Sequence, residues 1–103
     1  QMTYKLFIDD VRTPPEGWLL ARDVIQAKAT IKLFGHPELM SLDHDLGINA
    51  EGVEETIMDF LKWYSQEYYD AGPPKFLVHS SNPVGRRNII SLLNSWSKSL
   101  EAP

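Results

Sequence analysis

Short apolar runs alternate with longer stretches of helical periodicity, and this limits the folds open to the chain more than any other feature. YKLFI (4–8), ELMSL (38–42) and the apolar start of KFLVHSS (75–81) are brief and bounded by polar or turn residues, so they read as buried strands. Between them lie segments with a different period. VIQAKATIKLF carries Val24, Ala27, Ile31 and Phe34 at helical spacing; Asp23 precedes it as an N-cap, and Gly35 and Pro37 end it. VEETIMDFLKWYSQEYY (53–69) places Val53, Ile57, Phe60, Leu61 and Tyr64 in the same way, and AGPP terminates it. After the last apolar run, Asn82 and Pro83 open a third helix with Ile89, Leu92, Leu93 and Trp96 on one stripe. WLLARDV (18–24) reads as a further strand through about Arg22.

The resulting order is strand, strand, helix, strand, helix, strand, helix. Alternation of this kind predicts an α/β domain: about four mostly parallel strands, three helices packed on the sheet faces, and right-handed crossovers. The loop TPPEG (13–17) is short for a parallel connection, so the direction of the second strand is open. GINAEG (47–52) reads as a loop.

A length of 103 residues fits a single domain over 1–103, with 43% apolar residues to build one core. The formal net charge of −4 argues against a broad electrostatic nucleic-acid surface. It leaves room for a short nucleotide or RNA end held by a few local cations. There are no cysteines, so disulfides and thiolate metal sites are excluded. No apolar run approaches the ~20 residues of a membrane span, and nothing resembles a signal peptide. A cytoplasmic protein is therefore expected. Gln1 ahead of Met2 reads as an expression remnant and is set aside.

Each of the three clearest strands ends in polar chemistry. KLFI runs into DDVR, LMSL into DHDLG, and KFLV into HSSNPVGRR. In an open parallel sheet those carboxyl ends lie side by side, and ligands bind in the crevice beyond them. Asp9, Asp10, Asp43, Asp45, His44, His79 and Ser80 are thus expected to converge. A single strand-end aspartate is often only a turn or cap residue. Three clusters at matching ends point instead to a shared site. Closely spaced carboxylates repel one another, which raises pKa values or recruits a cation. Oxygen donors without cysteine suit Mg²⁺, with Mn²⁺ as the alternative, so Asp9, Asp10, Asp43 and Asp45 are the candidate metal ligands.

NPVGRRN (82–88) adds a candidate anion site. A helix amino terminus offers free N–H groups and the positive end of the dipole. Gly85 allows close approach to the backbone. Arg86 and Arg87 lie in the first turn, where the dipole disfavours cations. An anion between them would offset that cost. Asn82 and Arg12 complete the phosphate-binding candidates.

Taken together, LFIDDVRTPPEGW, SLDHDLG and VHSSNPVGRRNI resemble the cyclic-phosphate processing receiver-like domains, over nearly the whole chain. The resemblance implies a reduced flavodoxin/receiver-like sheet, with a role on cyclic phosphates such as 2′,3′-cyclic phosphate RNA ends. Asp9 and Asp10 resemble the receiver's metal-binding pair, Asp43 its phospho-accepting aspartate, and Ser80 the hydroxyl residue closing the fourth strand. The chain departs from a receiver in lacking the fifth strand with its lysine and the helix between the first two strands. Ordinary phosphorelay signalling is therefore not expected.

The leading expectation is a metal-dependent phosphoesterase opening a cyclic phosphate on a nucleotide or RNA end. His79, with His44, would exchange protons. Ser80 would donate a hydrogen bond, and Arg86 or Arg87 would hold the phosphate. In the variant nearest to receiver chemistry, Asp43 is the nucleophile. A non-catalytic nucleotide or cyclic-phosphate binding module and a receiver-derived protein-interaction domain are the rival expectations. The oligomeric state is open.

Overall fold

The computed structural model describes residues 3–101. The reading of Gln1, and the extreme ends of the expected 1–103 domain, lie outside the described residues. Six strands and three helices follow in the order β1 (Lys5–Ile8), β2 (Leu19–Ala21), α1 (Val24–Phe34), β3 (Leu39–Leu42), β4 (Asp45–Ile48), β5 (Glu54–Thr56), α2 (Ile57–Glu67), β6 (Lys75–Val78) and α3 (Pro83–Glu101). A short 3₁₀ turn, Tyr69–Ala71, follows α2. No described helix is long and apolar enough to cross a membrane.

The main sheet has the order β2-β1-β3-β6, and every pairing in it is parallel. This settles the direction of the second strand. TPPEG is only the middle of the connection, which runs over residues 9–18. A strand of four residues is roughly 13 Å long. Fully extended, the 9–18 connection reaches ~30 Å, enough to return along the strand without a helix.

The sheet order also decides where the helices go. From β2 to β3 and from β3 to β6 the chain steps across the sheet in the same direction. Crossovers of one hand then put α1 and α2 on the same face. Leu6, Ile8, Met40 and Leu42 point into that face and form one core with Val24, Ala27 and Ile31 of α1, Ile57, Phe60, Leu61 and Tyr64 of α2, and Ile89, Leu93 and Trp96 of α3. The opposite face carries Phe7, Ser41 and Leu77 in register and is helix-free. Trp18, from the end of the 9–18 loop, meets the Phe7 ring edge-on at 6.1 Å.

Two segments differ from the sequence expectation. β4 and β5 pair antiparallel as a separate hairpin, where 47–52 was expected to be all loop and a helix was expected from Val53. Asn49 closes the turn, its Oδ1 accepting from the N–H groups of Glu51 and Val53. Val53 fits the apolar period of α2 but lies outside it. The helix starts at Ile57, behind Thr56, whose hydroxyl accepts from the Met58 N–H. The hairpin is anchored by Glu55, which accepts the first N–H of α1, at Val24, at 3.0 Å.

Asp23 caps α1 as expected, accepting from the Gln26 N–H at 2.8 Å. Asp23→Ala is expected to cost about 0.5–2 kcal/mol, the usual range for losing an N-cap. Urea unfolding of parent and variant measures it; no change in midpoint would mean Glu55 alone secures this helix start.

Candidate functional site

The register of the sheet builds the site. Ile8, Leu42 and Val78 are neighbours across β1, β3 and β6 and point into the core. The next residue on each strand is Asp9, Asp43 and His79. Their N–H groups continue the ladder, from Asp43 to Ile8 O and from His79 to Leu42 O, both at 3.0 Å. Side chains alternate, so these three emerge on the helix-free face above Phe7, Ser41 and Leu77.

Asp9 is fully buried. Its Oδ1 accepts from the N–H groups of Val11 and Arg12, both at 2.8 Å. Its Oδ2 lies 2.9 Å from His79 Nε2 and 3.8 Å from Arg12 Nε. Burial pushes the carboxyl up, but the two backbone donors and the imidazole outweigh it, and Asp9 titrates below the ordinary range. Asp43 goes the other way. Burial raises its pKa first, the Asp9 and Asp10 charges raise it further, and His79 and a backbone N–H only partly oppose them. Asp9, Asp10 and Asp43 each bring an oxygen within 4.8 Å of the others. Asp10 Oδ2 rests against Gly47 of β4, where a Cβ would come within 3.0 Å of it and where φ is +77°. The glycine of SLDHDLG is therefore required twice, by its backbone conformation and by the carboxylate beside it.

Asp45 stands apart from this trio. Its two oxygens pair with His44 Nδ1 at 3.0 Å and Asn82 Nδ2 at 3.2 Å. The His44 bond is the main reason its pKa lies below the ordinary value. His44 is nearly buried, with its ring against Gly85 in the first turn of α3. The close approach that a bare backbone permits at Gly85 is taken up by this imidazole. Among the described residues the His44 Nε2 has no protein partner and is not sealed from solvent.

His79 has both nitrogens engaged, Nε2 by Asp9 and Nδ1 by Ser41 Oγ at 2.7 Å. Ser80 is buried and its Oγ accepts from the Asn82 N–H, which leaves the hydroxyl proton to donate. Asn82 caps α3 by accepting from the Gly85 N–H at 3.1 Å. The arginines close the strand ends: Arg12 donates to His79 O at 2.6 Å, and Arg86 to Val78 O at 2.7 Å. Arg87 is exposed.

Strand-end reasoning thus brings Asp9, Asp10, Asp43 and His79 together, and groups His44 and Asp45 with Asn82 and Gly85 beside them. It misses Ser41 and Phe7. Ser41 had a signal: it is a hydroxyl inside an apolar strand, where a polar side chain needs a partner. Phe7 looked like ordinary core, yet its ring stacks on His79 at 4.6 Å. Arg22 donates to Arg12 O at 2.7 Å and to Asp9 O at 3.3 Å, tying β2 to the loop after β1.

The family described as cyclic-phosphate processing receiver domain matches residues 4–95. No match is found among curated proteins or solved structures.

Proposed function

Because the chain belongs to the cyclic-phosphate processing receiver family, we propose that its strand-end site is a divalent-metal phosphoesterase centre that opens a cyclic phosphate on a nucleotide or RNA end. The observation that carries this reading is the trio of Asp9, Asp10 and Asp43. Three carboxylates within 4.8 Å are a donor set for a hard divalent cation. Burial and, after it, the Asp9 and Asp10 charges raise the Asp43 pKa, and such a cation would offset both. Mg²⁺ or Mn²⁺ held there would supply Lewis-acid polarisation of a phosphoryl oxygen.

The remaining roles belong to the chain. His44 is the proton-exchanging group, since Asp45 holds its Nδ1 and leaves Nε2 free, the arrangement that orients a catalytic imidazole. Ser80 donates its hydroxyl proton to a phosphate oxygen. Arg86 and Arg87 supply positive charge beside the capped start of α3.

The test is incubation with a panel of cyclic-phosphate nucleotides and RNA ends, with and without Mg²⁺ or Mn²⁺, read by mass spectrometry. Metal-dependent ring opening is expected. Tight binding without turnover would favour a binding module instead. In the same assay, Arg86→Ala combined with Arg87→Ala is expected to weaken ligand binding ~10- to 150-fold, the scale of a lost charge-assisted contact of about 1.5–3 kcal/mol. Unchanged affinity would move the phosphate clamp to Arg12 or Arg22.

A further inference from the structure

Ser41 has no part in the roles above, yet it is a buried hydroxyl in the centre of the sheet, bonded to an imidazole that is itself bonded to a buried carboxylate. The imidazole lies flat on Phe7, with the planes 3° apart, and Trp18 packs edge-on behind Phe7. We infer that Ser41 and His79 form a positioning relay that fixes the Asp9 carboxylate, with His79 held in the tautomer that carries its proton on Nε2. The relay's functional consequence rests on the reading of Asp9 as a metal ligand; its geometry does not.

Proton counting supports the assignment. Asp9 Oδ1 already accepts two backbone N–H groups, which favours the ionised carboxylate. A bare Nε2 lone pair facing Oδ2 at 2.9 Å would be repelled, so Nε2 carries hydrogen. Nδ1 is then the acceptor for the Ser41 hydroxyl, which has no other partner among the described residues.

Three donors set the plane of the Asp9 carboxylate and leave about one of its four lone-pair sites open on Oδ2. Partners of this kind orient metal-ligating carboxylates. His79 has no nitrogen left for a substrate. It is a positioning residue, and Ser41 holds its ring from the Nδ1 side.

Two measurements test the relay. The first is the imidazole ¹⁵N spectrum of the apo protein, compared with Ser41→Ala. The parent is expected to show the Nε2–H tautomer, and in Ser41→Ala the Nδ1 resonance should shift as its hydrogen bond to the hydroxyl is lost while Nε2 keeps its hydrogen. The second is Mn²⁺ titration of the parent, His79→Ala and His79→Gln. Losing a partner behind a ligand typically costs 10- to 100-fold, so His79→Ala should weaken Mn²⁺ binding by about that factor. Glutamine offers an amide N–H to Asp9 and a carbonyl to Ser41, so His79→Gln should recover most of the loss.

With the ring neutral, an Nδ1–H tautomer in the parent, or a spectrum unchanged by Ser41→Ala, overturns the relay. So does parental Mn²⁺ affinity in His79→Ala, or a folded His79→Gln as weak as His79→Ala. Should His79→Ala fail to fold, near-parental Mn²⁺ binding by His79→Gln supports the relay and loss of binding overturns it. If the parent binds no Mn²⁺, the metal reading of Asp9 fails, and the spectra alone decide the relay.

Discussion

Asp43→Asn is expected to melt higher than the parent protein without metal and lower with it. The first half follows from the raised Asp43 pKa. A carboxyl whose folded pKa lies above its unfolded value binds its proton more tightly in the fold. Its ionisation therefore costs stability as pH rises from the ordinary carboxylate value through the raised one. Asparagine removes that cost, so the apo variant should gain stability at neutral pH. The gain should vanish at acid pH, where Asp43 is protonated in both states. Asp9 has the opposite sign. Its lowered pKa contributes stability above the ordinary value, which is lost as pH falls through the folded one.

The second half follows from linkage. A cation present at about 100 times its dissociation constant stabilises the parent by ~2.7 kcal/mol. For a domain of this size that corresponds to roughly 10–20 °C in Tm. Losing one of three carboxylate ligands should reduce affinity at least ~100-fold, beyond the usual effect of a partner behind the ligands. Most of the metal-induced shift should then disappear, and turnover with it. Scanning calorimetry of both proteins, with chelator and with Mg²⁺ or Mn²⁺, reads both halves. A parent Tm that ignores metal would remove the cation from the site. A metal shift of equal size in Asp43→Asn would remove Asp43 from its ligands.

Gly85→Ala is expected to lower Tm by about 5–15 °C. At an exposed helix position the exchange would favour the helix by about 1 kcal/mol. Here an added Cβ would sit 2.4 Å from His44 Cγ, 2.7 Å from its Cβ and 2.8 Å from its Nδ1. The ring or the first turn of α3 must move, and overpacking of this kind costs about 1–3 kcal/mol. The movement also strains the His44–Asp45 bond. Combining Gly85→Ala with His44→Ala removes the contacts to Cγ and Nδ1 and leaves the one to Cβ at 2.7 Å, so the two changes should couple by ~0.5–3 kcal/mol. Urea unfolding of the four proteins gives that coupling. Parental stability in Gly85→Ala would mean that the glycine is kept open for a ligand and not for the imidazole.

The elements and the place of the site were readable because local signals carry them. Asp23 marks the start of α1, and Asn82 with Pro83 that of α3, because a cap acts within three or four residues of chain. The acids after KLFI and LMSL mark a binding edge because parallel strands align their carboxyl ends. The hairpin was not readable. Val53 matches the apolar period of α2, while the bond from Val24 N–H to Glu55 that anchors β5 spans thirty-one positions. No periodicity records a contact of that kind.

Amino-acid order by itself determined an alternating α/β chain, parallel pairing for most of its strands, and acids, histidines and a hydroxyl gathered at one sheet edge. Each of these follows from side-chain period or from a cap within a turn of chain. Tertiary structure alone decided that the helices build one core on one face, that β2 runs parallel, and which histidine keeps a free nitrogen. His79 is occupied by Asp9 and Ser41, while His44 is paired through Nδ1 only and packed on Gly85. Most of those contacts join residues dozens of positions apart, and sheet register and helix docking set them, so only the folded chain brings them together.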